Sequence, residues 1–235
     1  MHFERVEIFI PVAAGHHKVF PAALCSALTQ TYPNKRIVIF LDEIHPYLEK
    51  IIKEWFYTKD DVTTVTVPEQ PIRRTPNFIP QYDALIYEEC KRGVIVRNKA
   101  GYSGSAHAAR QWLFEWENKS DIVKMLDADD ILTPRAIEIM MRHIGPEIDG
   151  VFCPMVRSSS CRYAGLNIPD PQNKPTGSGS MMLRRHVMDT MIEEGFKWPS
   201  KRGHDQGFFE FIRDRQEKFN FVTTGEFNLL YIYQK

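Results

Sequence analysis

Three aspartates stand within four residues at Asp127-Ala128-Asp129-Asp130. Carboxylates are hard oxygen ligands that suit Mg²⁺ or Mn²⁺. A turn that aims two of them into one pocket lets a divalent ion bridge them to a diphosphate and stabilise a leaving phosphate. The competing reading is a solvated turn that runs into a helix N-terminus, where acids are favourable. Other residues invite the same two-sided reading. Asp42 closes the apolar run Arg36-Ile37-Val38-Ile39-Phe40-Leu41. Asp205 follows Gly203-His204, where it would cap a helix over 206–214. Thr176-Gly177-Ser178-Gly179-Ser180 leads into Met181-Met182-Leu183-Arg184-Arg185. Its glycines suit a close approach of backbone to ligand, or belong to an ordinary loop with two solvated arginines.

The elements that must position these groups alternate. Residues 6–12 are β-branched and aromatic and read as a strand. Val19, Phe20, Ala23, Leu24, Ala27 and Leu28 have helical spacing over 17–30, and Tyr32-Pro33-Asn34 ends that helix. A strand over 36–41, a helix over 46–57 and a strand over 62–67 follow. Residues 68–81, with four prolines, read as a loop or peripheral insertion. Val94 to Val96 is a short strand, and a helix runs from Gly101–Gly104 to about Trp116. Ile122 to Leu126 is a buried strand that delivers the acids. Thr133 and Pro134 would then cap and begin a helix. Residues 150–156 form a strand and 157–180 a long loop of the kind that often carries function. A strand at 181–183, helices over 186–194 and 206–214, and strands at 219–223 and 226–233 complete the chain.

Such alternation predicts an α/β fold, with a mainly parallel sheet covered by helices on both faces. Ligands of such sheets bind beyond the carboxyl ends of the strands. Pro11 to Ala14, Asp42 and the three aspartates all fall at that edge.

In order, the chain carries Ile10-Pro11-Val12-Ala13, Ala27-Leu28-Thr29-Gln30-Thr31-Tyr32-Pro33, Asp42, Asn98-Lys99-Ala100-Gly101, Ala109-Arg110-Gln111 and Asp127-Ala128-Asp129-Asp130. This series resembles glycosyltransferase family 2, of the Rossmann-like GT-A fold. The resemblance spans about residues 4–145, and 176–215 more loosely. It implies one domain, with a nucleotide-sugar half at 1–130 and an acceptor half at 131–235. It implies that Pro11, Val12 and Ala13 line the nucleotide base and ribose. Asp42 would accept a hydrogen bond from the base, typically uracil. Arg110 would lie near the donor nucleotide, with His107 a competing alignment for that role. Asp127 would contact ribose or metal, and Asp129 would be the principal ligand of Mn²⁺ or Mg²⁺. Asp205 falls where the family has its general base, and Arg184 and Arg185 where a basic strand end borders donor and acceptor. Two departures stand out: one aspartate is kept in Leu41-Asp42-Glu43-Ile44, and Gln111 replaces the family's asparagine.

The implied reaction is metal-dependent transfer of a hexose or pentose from a nucleoside diphosphate, UDP first, to a hydroxyl acceptor with inversion. The alternatives are a retaining transferase on the same fold, an enzyme that glycosylates a hydroxylated nucleic-acid base, and an idle nucleotide-sugar-binding module. Thirty basic and thirty acidic side chains balance to a formal charge of +0, which disfavours a strongly basic nucleic-acid binder. There is no apolar run long enough to span a membrane. The acidic start lacks the pattern of a signal peptide, and Cys25, Cys90, Cys153 and Cys161 show no zinc spacing. The expectation is a cytoplasmic protein with reduced core or near-core thiols. Trp112 and Trp116, at i and i+4, are expected in the core or on a partly buried helix face rather than as a sugar platform.

Overall fold

A computed structural model of the chain describes residues 4–13, 15–42, 44–57, 85–98, 106–117, 119–158, 166–167, 177–199, 204–226 and 228–232. The expected strand at 62–67, the loop at 68–81 and most of 157–180 lie outside these residues.

Strands β1 (Val6–Val12), β2 (Lys35–Leu41), β3 (Leu85–Cys90), β4 (Gly93–Asn98) and β5 (Ile122–Met125) build one half of the main sheet. A short β6 (Asp130–Leu132) follows the acids. The chain then adds β7 (Gly150–Phe152), β8 (Met155–Ser158), β9 (Leu166–Asn167), β10 (Met181–Arg184), β11 (Phe221–Thr223) and β12 (Leu229–Ile232). Among the described residues the main sheet has the order β11-β7-β10-β5-β1-β2-β4-β3. The smaller sheet has the order β6-β12-β8-β9. In the main sheet β1 is parallel to β2 and β5, and β2 to β4, while β10 and β3 run antiparallel to their neighbours.

Helices α1 (Phe20–Leu28), α2 (Pro46–Ile51), α3 (His107–Glu115), α4 (Ala136–His143), α5 (Arg185–Glu193) and α6 (His204–Arg213) cover both faces. Successive strand residues point to opposite sides. Ile8, Ile10, Ile37 and Ile39 therefore pack with α1, α2 and α4. Phe9, Val38 and Phe40 pack with α3, α5 and α6. Trp112 and Trp116 are both buried and stack at 4.9 Å. Among the described residues no helix is long and apolar enough to cross a membrane.

Several expectations need correction. A 3₁₀ turn, His16–Lys18, precedes α1, and a π-helical turn, Ile52–Phe56, extends α2. Strand β3 was not expected; it hairpins onto β4 through a two-residue turn. The strand expected at 150–156 is two strands in different sheets. The Cys153 N–H turns to the Ser180 carbonyl, and Pro154 has no N–H to continue the ladder. The helix expected at Thr133 begins at Ala136. Thr133 is committed elsewhere: its N–H donates to Asn228 O, and its carbonyl accepts from Gln30 Nε2 at 2.7 Å. Cys25 is exposed, not near the core, while Cys90 is half-buried and Cys153 buried.

One core acid gives a test of the packing. Glu7, wholly buried in β1, lies 3.9 Å from Arg36 Nε, and burial pushes its carboxyl up to about 7. Arg36, Arg5 and Ser120 oppose that shift. The folded state therefore holds this proton where the unfolded chain, near 4.5, has lost it. Stability falls as pH rises through that window, and the full penalty stands above the folded value. Glu7→Gln is expected to match the parent near pH 4 and to exceed it by about 2–3 kcal/mol near pH 8. Urea unfolding across pH checks this; a difference that does not grow with pH contradicts it.

Candidate active site

Parallel pairing brings the carboxyl ends of β1, β2, β4 and β5 to one edge of the main sheet. Because β10 runs the other way, its first residues reach the same edge, preceded by a 3₁₀ turn at Ser178–Ser180. Pro11 and Val12 complete β1 with buried side chains, and Ala13 follows at the edge. Asp42 and Asp127 lie on either side of β1.

Asp42 is 1% exposed. Its N–H donates to Val12 O, and its Oδ1 accepts from Asn98 Nδ2 at 3.1 Å. His107, at the start of α3, is half-buried. Burial holds its basicity below the ordinary value; Asp42 opposes this, and Arg110 reinforces it. The two candidates for one role thus share a corner, His107 near Asp42 and Arg110 on Asp127.

Arg110 Nη2 donates to Asp127 Oδ1 at 2.5 Å, and Ser178 Oγ donates to Asp127 Oδ2 at 3.2 Å. The Arg110 guanidinium lies 5.5 Å from the centre of the Trp198 ring and is 3% exposed. Burial, then the charge of Asp127, raises the Asp129 carboxyl above the usual range, with His16 and Arg110 opposing. His16 Nδ1 is buried without a hydrogen-bond partner among the described residues. Asp130 is buried beneath the turn, and its Oδ1 also lacks a partner. Burial and its two neighbouring acids hold the Asp130 carboxyl well above the usual range, opposed by Lys124. Gly179 is required here: a Cβ on it would meet Asp130 Oδ2 within contact distance.

Lys124 is completely buried in β5. Its Nζ donates to Met125 O at 2.7 Å and to Gly179 O, so it ties the acid-bearing strand to the Ser178–Ser180 turn. Ser26 and Gln30 clamp the far side. Ser26 Oγ accepts from Leu132 N, and Gln30 Oε1 accepts from Ile137 N, each at 3.1 Å. The Gln30-Thr31-Tyr32-Pro33 stretch is thus architectural, and holds the segment that follows the aspartates.

A carboxylate whose ionisation an adjacent carboxylate opposes, as Asp127 does that of Asp129, fits a divalent cation. Among the described residues no three His, Cys, Asp or Glu side chains converge as a metal cage. Asp127 and Asp129 are the residues here that could hold Mg²⁺ or Mn²⁺, with substrate phosphates completing the shell.

Helix α6 starts at His204, so Asp205 stands within its first turn rather than at the expected cap before residue 206. The helix is docked toward the acids: Phe208 stacks on Trp198 with ring planes 6° apart, and Trp198 faces Arg110. Gly207 permits this, since a Cβ would meet Pro199 Cγ at 2.5 Å. Arg184 and Arg185 do not border this edge. Antiparallel β10 carries Arg184 to the start of β5, opposite Ile122, where it bonds Ile148 O and Gly145 O. Arg185 pairs with Asp189. Neither is the solvated side chain of the plainer reading.

Sequence reasoning assigned no role to Lys124, Ser178, Trp198 or Asn98. A lone lysine inside the apolar run Ile122–Leu126 was the available signal for the first, because an unpaired charge is costly there. The others depend on distant pairings.

No family model matches the chain, and no curated protein sequence matches it. It is similar in structure to Staphylococcus aureus TarS 1-349 in complex with UDP-GlcNAc, with a TM-score of 0.66 and 12% identity over 98% of this chain and 59% of that one. It is also similar to the mannosyltransferase PcManGT from Pyrobaculum calidifontis, in complex with GDP-Man and Mn²⁺. There the TM-score is 0.61 and the identity 13%, over 99% of this chain and 57% of that one. The chain therefore spans about three fifths of the length of these neighbours. The likeness shows the fold: a mixed α/β domain with the GT-A-like architecture of those neighbours.

Proposed function

We propose that this chain is a metal-dependent glycosyltransferase resembling family 2. It would transfer a hexosyl or pentosyl group from a nucleoside diphosphate, UDP in the first instance, to a hydroxyl with inversion. The observation that supports this best is the pairing of the Asp127–Asp130 turn with Asp42 on either side of β1, at the sheet edge where α/β folds bind ligands. Residues 1–130 form the donor half in this reading and 131–235 the acceptor half. Pro11, Val12 and Ala13 border base and ribose, and Asp42 accepts from the base. Asp127 and Asp129 would hold Mn²⁺ or Mg²⁺, with Asp129 the principal ligand. When bound, the ion supplies positive charge that stabilises the departing diphosphate. Arg110, buried against Trp198, serves the donor by fixing the Asp127 carboxylate. Asp205 takes the proton of the acceptor hydroxyl.

Hydrolysis of UDP-, GDP-, CMP- and dTDP-sugars with Mn²⁺ tests the reading. Chelation is expected to abolish turnover, Mn²⁺ or Mg²⁺ to restore it, and Asp129→Asn to weaken donor binding in metal. Full turnover after verified metal removal overturns the metal role, and product stereochemistry by NMR separates inversion from retention. Asp42→Ala is expected to raise the donor dissociation constant by about one to two decades, since a hydrogen bond to a charged group is worth roughly 1.5–3 kcal/mol. Calorimetry with an unchanged constant removes Asp42 from the donor site.

A further inference from the structure

At the amino-terminal edge of the main sheet, away from the acids, lies a cavity of about 470 Å³. Four cationic side chains line it: Arg5 ahead of β1, Arg36 in β2, Lys119 ahead of β5, and Arg185 after β10. Two of these charges are spent. Lys119 Nζ donates to Phe114 O and Trp116 O and pairs with Asp189 at 2.8 Å, and Arg185 pairs with the same carboxylate.

The other two are held more loosely. Arg5 uses its Nε on Ser120 Oγ at 3.0 Å and makes no ion pair among the described residues. Arg36 lies 5.2 Å from the centre of the Trp116 ring, and its buried Nε has no hydrogen-bond partner among the described residues. The nearest carboxylate is Glu7, whose Oε2 is 3.9 Å away and whose Oε1 is buried and also without a partner. A buried guanidinium N–H left without a protein acceptor is costly, and an oxyanion beside it would supply one.

We propose that this cavity is an anion site for a compact phosphate group on a small soluble ligand, gripped by Arg5 and Arg36. Guanidinium groups match the tetrahedral oxyanion through paired N–H donors. Three carboxylates, Glu89, Glu117 and Asp121, also line the cavity. They select against an extended polyanion, which would run along them, and favour a single concentrated charge. The site is separate from the transfer reaction and does not depend on it.

The test is calorimetry on the full chain in chelator, with orthophosphate and sulfate as probes and acetate as control. Both probes are expected to bind and acetate not to. Arg5→Gln and Arg36→Gln are each expected to weaken binding about ten-fold or more, with the melting temperature reported alongside. Glu7→Gln keeps the side-chain shape and removes the carboxylate beside Arg36, so it is expected to tighten binding. The proposal is overturned if neither probe binds at millimolar concentration, or if both arginine variants bind as the parent does. It is also overturned if polyphosphate binds where orthophosphate and sulfate do not.

Discussion

Asp205→Asn is expected to lower the turnover number by about 10²–10⁴-fold, the loss that follows removal of a positioned base. The residue stands in the first turn of α6, a helix joined to the acid turn by Phe208, Trp198 and Arg110. Asparagine keeps the size but cannot accept the proton. A carboxylate in a helix's first turn is worth about 0.3–1 kcal/mol through the helix dipole, so the unfolding free energy should fall by no more than that. Donor affinity should match the parent, because the base serves the acceptor and not the nucleotide. Single-turnover rates, donor calorimetry and urea unfolding separate these effects. A variant that melts early yet turns over normally while folded assigns Asp205 to the helix alone. The retaining mechanism then moves ahead of the inverting one.

Lys124→Met is expected to cost about 3–5 kcal/mol in unfolding free energy, since two buried carbonyls each lose a hydrogen bond to a charged group worth roughly 1.5–3 kcal/mol. Methionine retains the length of the side chain but donates no hydrogen bond. The Met125 and Gly179 carbonyls would lose their ammonium donor. Asp130 and Asp127 would lose the buried cation that faces them. Burial itself lowers the basicity of Lys124, and Cys153, Asp130 and Asp127 raise it. A double-mutant cycle with Asp130→Asn tests the electrostatic part. Neutralising Asp130 should recover part of the loss, because the buried acid that Lys124 faces then carries no charge at any pH. Strictly additive effects would mean that Lys124 acts only through its two carbonyl contacts. Since whole domains are stable by about 5–15 kcal/mol, the variant is best studied at low temperature.

Much of this was legible along the chain. The runs at 6–12, 36–41 and 122–126 became β1, β2 and β5, because a buried parallel strand needs little beyond a short apolar stretch. Once those strands are parallel, Ala13, Asp42 and Asp127 must share an edge, so the candidate site followed from position alone. The i, i+4 spacing likewise placed Trp112 and Trp116 in the core or on a partly buried helix face, and both are buried.

What the sequence did not determine was which distant segments pair, and in which direction. The antiparallel course of β10 places Ser178 on Asp127 and sends Arg184 to the opposite edge, reversing the part expected of that strand's basic end. The break at Cys153-Pro154 divides one expected strand between two sheets. Thr133 is drawn from a helix cap into bonds with Asn228 and Gln30. Lys124 finds its acceptor on Gly179, a residue far along the chain. Local residue types set whether a segment is strand, helix or turn, and which face is apolar. The acceptors, counter-charges and strand directions that complete the site come from register between remote segments. That register is decided only when all the apolar faces are buried together and every buried polar group must find a partner.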